Sequence, residues 1–199
     1  MKTFLHVGCG GQDKSHTTPT FAGDSWQEIR LDINEAVGPD IVGTMTDMKA
    51  VASESVDAVF SSHNIEHLYP HEVPQALAEF LRVLKPQGFA VIVCPDLQSV
   101  AALVVEDKLV ETAYISAAGP IAPLDILYGY RPQLAAGNLY MAHHCGFTRK
   151  VLHNTLLHSG FKSAASLRRA ANFDLWAVAS KSPLSESEMQ QLAGEHLPR

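Results

Sequence analysis

The run His6-Val7-Gly8-Cys9-Gly10-Gly11 follows a short apolar stretch, Phe4 to Val7. Glycines in such a turn let the backbone approach a ligand closely and leave N–H groups free to meet it. Asp32 closes the next apolar stretch about twenty residues later, the distance at which a carboxylate accepts both hydroxyls of a ribose. Taken singly, Gly8 and Gly10 read as a tight turn, Asp32 as a solvated strand end and Asp47 as a helix cap. Their order at successive strand ends is what points to a nucleotide site. A dinucleotide would need a third glycine where this chain has Asp13, and a helix set at once against the pyrophosphate. The residues after Gly11 make a poor helix. A nucleoside cofactor without phosphates has neither need.

A second constellation is His63-Asn64-Ile65-Glu66-His67. It matches the H-x-x-E-H pattern of zinc hydrolases, in which two histidines one turn apart bind the metal and the glutamate is the base. That chemistry needs a long helix, and Tyr69-Pro70 breaks one almost immediately. His67 therefore reads as a hydrogen-bonded histidine and His63 as the one that points into a site, with no metal implied. A third group is Tyr140-Met141-Ala142-His143-His144-Cys145, with Asp125, Tyr128, Tyr130 and Arg131 upstream. A histidine here could take a proton from a hydroxyl or amine. The plainer reading is a solvated surface turn. A His-His-Cys metal site ranks below both, because adjacent residues rarely converge on one ion.

The elements around these residues alternate. Strands are expected at Phe4 to Val7, Trp26 to Ile33, Asp40 to Gly43, Val56 to Ser61 and Phe89 to Cys94. Gln12 to Ser25 reads mostly as loop. A helix begins near His71, with Pro74 in its first turn and Val73, Leu77, Phe80 and Leu84 on one face. Such alternation predicts a parallel sheet with crossover connections. Ser99 to Val110 looks helical, and Ser116 to Gly146 looks like an irregular insertion over the sheet edge. Thr148 caps a helix through about His158, and strands follow at Phe161 to Leu167 and Phe173 to Ser180. The expected division is one domain over residues 1–181, with its insertion at about 97–147, and a polar tail over 182–199.

At these motifs the chain resembles the class I S-adenosylmethionine-dependent methyltransferases, especially the small bacterial type known mostly as predicted methyltransferases. The resemblance covers roughly residues 3 to 96, and more weakly Gly146 to Ala179. It is carried by Leu5-His6-Val7-Gly8-Cys9-Gly10, Asp32, Thr46-Asp47-Met48, Val56-Asp57-Ala58-Val59 running into Ser62-His63-Asn64-Ile65-Glu66-His67-Leu68, and Leu81-Arg82-Val83-Leu84-Lys85-Pro86-Gln87-Gly88. It implies a doubly wound, mostly parallel α/β sheet of the Rossmann-like methyltransferase type, with an antiparallel C-terminal strand. It implies S-adenosylmethionine as cofactor. Val7, Gly8 and Gly10 would lie under its methionine part and Asp32 would hold the ribose. Thr46, Asp47 and the Met48 backbone would bracket the adenine, and Ser62 and Asn64 would line the methyl-donor end. The helix usual after the glycine turn is shortened or lost here.

On this reading His63 and His144 are the catalytic candidates, and Tyr128, Tyr130 and His143 the acceptor-side ones. The expected acceptor is a small molecule, with a sugar-like metabolite or a protein side chain also open. The rivals are a module that binds the cofactor without turnover, the zinc hydrolase above, and a nicotinamide oxidoreductase.

Composition bounds the rest. The chain has 199 residues, 46% hydrophobic and 18% charged, which suits one globular domain. The net charge of −6 argues against bulk nucleic-acid binding. Three scattered cysteines suggest neither a disulfide framework nor a structural zinc site. No run is long enough for a membrane span, so a cytoplasmic location is the default expectation. Oligomeric state is not legible.

Overall fold

The computed structural model describes residues 1–198. In chain order it contains β1 (Lys2–Val7), α1 (Pro19–Ala22), β2 (Trp26–Asp32), β3 (Ile41–Val42), β4 (Val56–Ser62), α2 (Val73–Val83), β5 (Leu84–Pro95) and α3 (Leu97–Val105). Then follow β6 (Tyr114–Ser116), β7 (Gly119–Ile121), α4 (Pro123–Tyr128), α5 (Arg131–Ala135), α6 (Arg149–His158), β8 (Ser163–Arg169), β9 (Asp174–Ser180) and α7 (Glu186–His196). Seven strands form one sheet in the order β3-β2-β1-β4-β5-β9-β8, and only β9 runs against its neighbours. This is the doubly wound architecture expected. Its strand order reverses between β1 and β4, and the crevice outside the carboxyl ends of those strands is where such sheets bind ligands.

Side-chain alternation along the strands feeds two cores. Leu5, Val7, Val59 and Ile92 face α2 and α6, whose Leu77, Phe80, Leu152 and Leu156 are buried there. Phe4, Ala58, Phe60 and Val91 face the other side, with Phe21, Trp26 and Phe89. The three ring systems interlock: Phe21 stacks on Phe4 at 4.5 Å and meets Trp26 edge-on at 4.9 Å.

Three expectations change. The insertion is not irregular: α3, the β6-β7 hairpin and α4 close a small core of Val100, Ile121 and Ile126. Buried Asp125 holds it by accepting from the Ala122 N–H and from Arg131 Nε at 2.7 Å. The α2 helix ends at Val83, so Leu84 belongs to β5. The final segment is more than a polar tail. Met189, Leu192 and Ala193 of α7, with Leu197, pack on the aromatic core, and the His196 ring lies against Phe21 and Phe89. Residues 12–25 supply a 3-10 turn at Lys14–His16 and the four-residue α1, and α7 packs on the same core as Phe21 of α1. All three cysteines are free. No helix among the described residues is long and apolar enough to cross a membrane.

Candidate active site

The glycine turn sits at the end of β1, with Gly8 at φ +65° and Gly10 at φ +55°. Three of its amides are not free, contrary to the expectation for such a turn. Gly8 and Cys9 both donate to Leu31 O, at 2.8 and 3.2 Å, and the Gly10 N–H donates to Asp32 Oδ2 at 2.7 Å. These three N–H groups are spent on β2, so they leave no cradle for a pyrophosphate. The turn offers space instead: a Cβ on Gly10 would meet nothing within 4 Å.

Asp32 is 9% exposed and lines the crevice. Its Oδ1 accepts from the Asn34 N–H at 2.8 Å. A carboxylate has roughly four acceptor sites, so each oxygen keeps capacity for a ligand hydroxyl. Two residues back on the same face of β2 lies Arg30. Its guanidinium donates to Gln12 O, Gly10 O and Gly38 O at 2.9–3.0 Å. One side chain thus clamps the glycine turn to the loop after Asp32. Nothing in a motif flags Arg30; only its two-residue spacing from Asp32 on a strand would have.

Across the crevice, Asn64 Nδ2 donates to Val7 O at 3.0 Å, Gly8 O at 3.3 Å and Ser62 O at 2.9 Å. Ser62 itself does not line the crevice; it lends Asn64 its carbonyl. The crevice encloses about 360 Å³, with Leu31, Ile33, Val37 and Met45 as its apolar part. Thr46, Asp47 and Met48 are elsewhere. Met48 is buried in the core with its N–H on Glu79 Oε2 at 2.7 Å, and Asp47 faces Lys49 at 2.7 Å. The reason is that β3 has only two residues and the chain turns at once, with the Asp47 N–H on Thr44 O at 3.1 Å. Thr44 and Met45 therefore reach the crevice instead.

The insertion forms the roof. Leu139, Tyr140, Met141 and His144 line the crevice, and the His144 ring stacks on Tyr69 at 4.2 Å. Its neighbour His143 points the other way, with Nδ1 on Ile126 O at 2.8 Å. Tyr128 is 63% exposed, outside the crevice. Tyr130 lines a second cavity of about 150 Å³ and donates its hydroxyl to Ala118 O at 2.7 Å. His63, His67 and Met141 form the wall between the two cavities.

The residues from His63 to His67 do not form the helix of a zinc hydrolase. Ile65–His67 is a single 3-10 turn, and His63 is left-handed at φ +53°. His63 Nδ1 stands 3.5 Å from Glu66 Oε1. Desolvation opposes charge on the half-exposed His63 side chain, but the Glu66 carboxylate 3.5 Å away outweighs it and raises its pKa above 6.5. Burial likewise works against the Glu66 carboxylate, yet His63, then His67 and His143, hold its pKa below the ordinary value.

The sheet order and the crevice at its switch point define a class I, Rossmann-like methyltransferase fold. Residues 5–92 match the family model described as a methyltransferase domain. Solved structures agree on the fold. A 1,6-didemethyltoxoflavin-N1-methyltransferase from Burkholderia thailandensis, with bound 1,6-didemethyltoxoflavin and S-adenosylhomocysteine, is 14% identical at a TM-score of 0.58, over 91% of this chain and 71% of that one. A SAM-dependent methyltransferase from Archaeoglobus fulgidus is 16% identical at 0.59, over 90% and 86%. A protein from Pyrococcus horikoshii is 15% identical at 0.62, over 91% and 82%. No curated protein matches the chain in sequence.

Proposed function

We propose that the chain transfers the methyl group of S-adenosylmethionine to a small-molecule acceptor bound under the Leu139–His144 roof. The observation that carries this reading is the Asp32 carboxylate. It is braced by the Gly10 and Asn34 amides, keeps one acceptor site per oxygen, and faces a crevice whose turn commits the Gly8, Cys9 and Gly10 amides to β2. Asp32 holds the ribose hydroxyls. Ile33, Val37, Thr44 and Met45 flank the adenine. Gly8, Gly10 and Asn64 border the methionine end.

S-adenosylmethionine would supply a sulfonium methyl carbon open to in-line attack by a nucleophile, the carbon–sulfur bond breaking with S-adenosylhomocysteine as the leaving group. Positive charge disperses in that step, so the protein gains most by alignment and by excluding water. Tyr140, Met141 and His144 do both by closing the roof. His63, facing the Glu66 carboxylate at 3.5 Å on the shared wall, accepts the proton of a hydroxyl or amine acceptor. His144 orients the acceptor against Tyr69.

Binding without turnover is the second reading, because the braced Asp32 serves both. Methyl-labelled S-adenosylmethionine, incubated with the protein and panels of small hydroxyl, amine and thiol compounds, separates them. Label appearing in an acceptor, with S-adenosylhomocysteine formed in equal amount, supports transfer. Bound cofactor recovered unchanged against every class favours the binding module.

A further inference from the structure

Behind the crevice, the side chains of Glu66, His67 and His143 converge. Glu66 is 1% exposed, and neither of its carboxylate oxygens accepts a hydrogen bond; the nearest charge partner is His63 Nδ1, 3.5 Å from Oε1. A buried carboxylate left this way is costly, and a bound cation is one way to satisfy it. His67 Nδ1 donates to Ala142 O at 3.0 Å, and His143 Nδ1 donates to Ile126 O at 2.8 Å. With both Nδ1 protons given to carbonyls, both Nε2 atoms carry lone pairs. That is the arrangement by which metal-binding imidazoles are oriented from behind.

We propose that Glu66, His67 and His143 bind a first-row divalent transition metal, zinc by ligand preference, with an open position toward the second cavity. One ligand atom from each residue lies within 4.8 Å of the others. Four-coordinate zinc with bonds near 2.1 Å sets its ligand atoms ~3.4 Å apart, so closure around the ion asks for about 1 Å of side-chain movement. The backbone is already fixed for it. The His144 N–H donates to Glu66 O at 2.8 Å, the Cys145 N–H to the same oxygen at 3.2 Å, and Cys145 Sγ to Ile65 O at 3.3 Å. The 3-10 turn after β4 and the insertion are therefore stitched together at the site. Two imidazoles and one carboxylate form a zinc set with room for a further ligand. The cavity beside them, walled also by Tyr130 and Asp125, supplies the room. The site stands apart from Asp32 and does not depend on the methyl-transfer reading.

The test is metal retention. Protein stripped with a chelator is incubated with excess Zn²⁺, desalted by gel filtration and assayed for metal, beside Glu66→Gln, His143→Ala and the surface control His16→Ala. His143→Gln replaces the alanine variant if that one fails to fold. The expected result is one equivalent in the wild type and in His16→Ala, none in the site variants, and a raised melting temperature only where metal is retained. Co²⁺ should give a visible absorption band that the site variants lack. No retained metal in the wild type, or equal retention in the site variants, overturns the proposal and leaves a hydrogen-bonded cluster only.

Discussion

Asn64 occupies the space that a side chain on Gly8 would need: a Cβ built there lies 1.9 Å from Asn64 Oδ1. The same amide donates to the Val7 and Gly8 carbonyls, so the end of β4 fixes the turn after β1. Gly8→Ala adds a steric clash to an unfavourable φ of +65°. It should lower stability by about 2 kcal/mol or more. It should also weaken S-adenosylmethionine binding at least ~10-fold, which is ~1.4 kcal/mol. Thermal melts and calorimetry check both; an alanine variant binding as wild type does would show that the turn relaxes freely.

Arg30 should behave as a positioning residue. Its four carbonyl partners, on Gly10, Gln12, Val37 and Gly38, come from both loops that meet at Asp32. Lysine cannot reproduce a planar fork, so Arg30→Lys should weaken cofactor binding while the protein stays folded. Unchanged affinity, with circular dichroism confirming the fold, would count against the clamp.

Asp47 gives a prediction of the opposite sign. Its side chain lies outside the crevice beside Lys49, so Asp47→Ala should leave cofactor affinity within about twofold, under ~0.5 kcal/mol. Met45→Asp, on the apolar wall, should weaken it clearly. If Asp47→Ala proved the more damaging of the two, the turn after β3 would be wrongly placed.

His196 makes stability depend on pH. Burial against the Phe21 and Phe89 rings lowers its pKa from 6.5 to about 4, with Glu195 opposing and Lys2 adding slightly. The unfolded chain therefore binds the proton first. Stability should be full above pH 6.5, fall between about 6.5 and 4, and lose no more to this group below that. The ceiling on the effect is on the order of 3 kcal/mol. Denaturant melts of His196→Gln, which can keep the contact with Thr18, should be flatter across that window. Parallel curves for variant and wild type would remove His196 as the cause.

The parallel order of the sheet was legible because strands, turns and helices keep distinct periods, and Gly8, Gly10, Asp32 and Asn64 were legible because a motif carries them. Thr44 and Met45 were not. Their place depends on β3 being two residues long, and strand ends are where local pattern is weakest. The histidine pair was ambiguous for a different reason. Neighbours in an extended stretch point to opposite sides, so His144 could enter the crevice while His143 turned to Glu66, and only tertiary contacts decide which goes where. The packing of α7 was hidden by its composition, since a few apolar residues suffice to seat it on the core that holds Phe21.

The central claim is that Asp32 anchors S-adenosylmethionine in this crevice. It is tested most directly by calorimetric titration of the protein with S-adenosylmethionine and S-adenosylhomocysteine beside Asp32→Ala. The account predicts one site per chain in the wild type and affinity at least ~100-fold weaker in the variant, about 2.7 kcal/mol. No binding by the wild type, or equal binding by the variant, would contradict it.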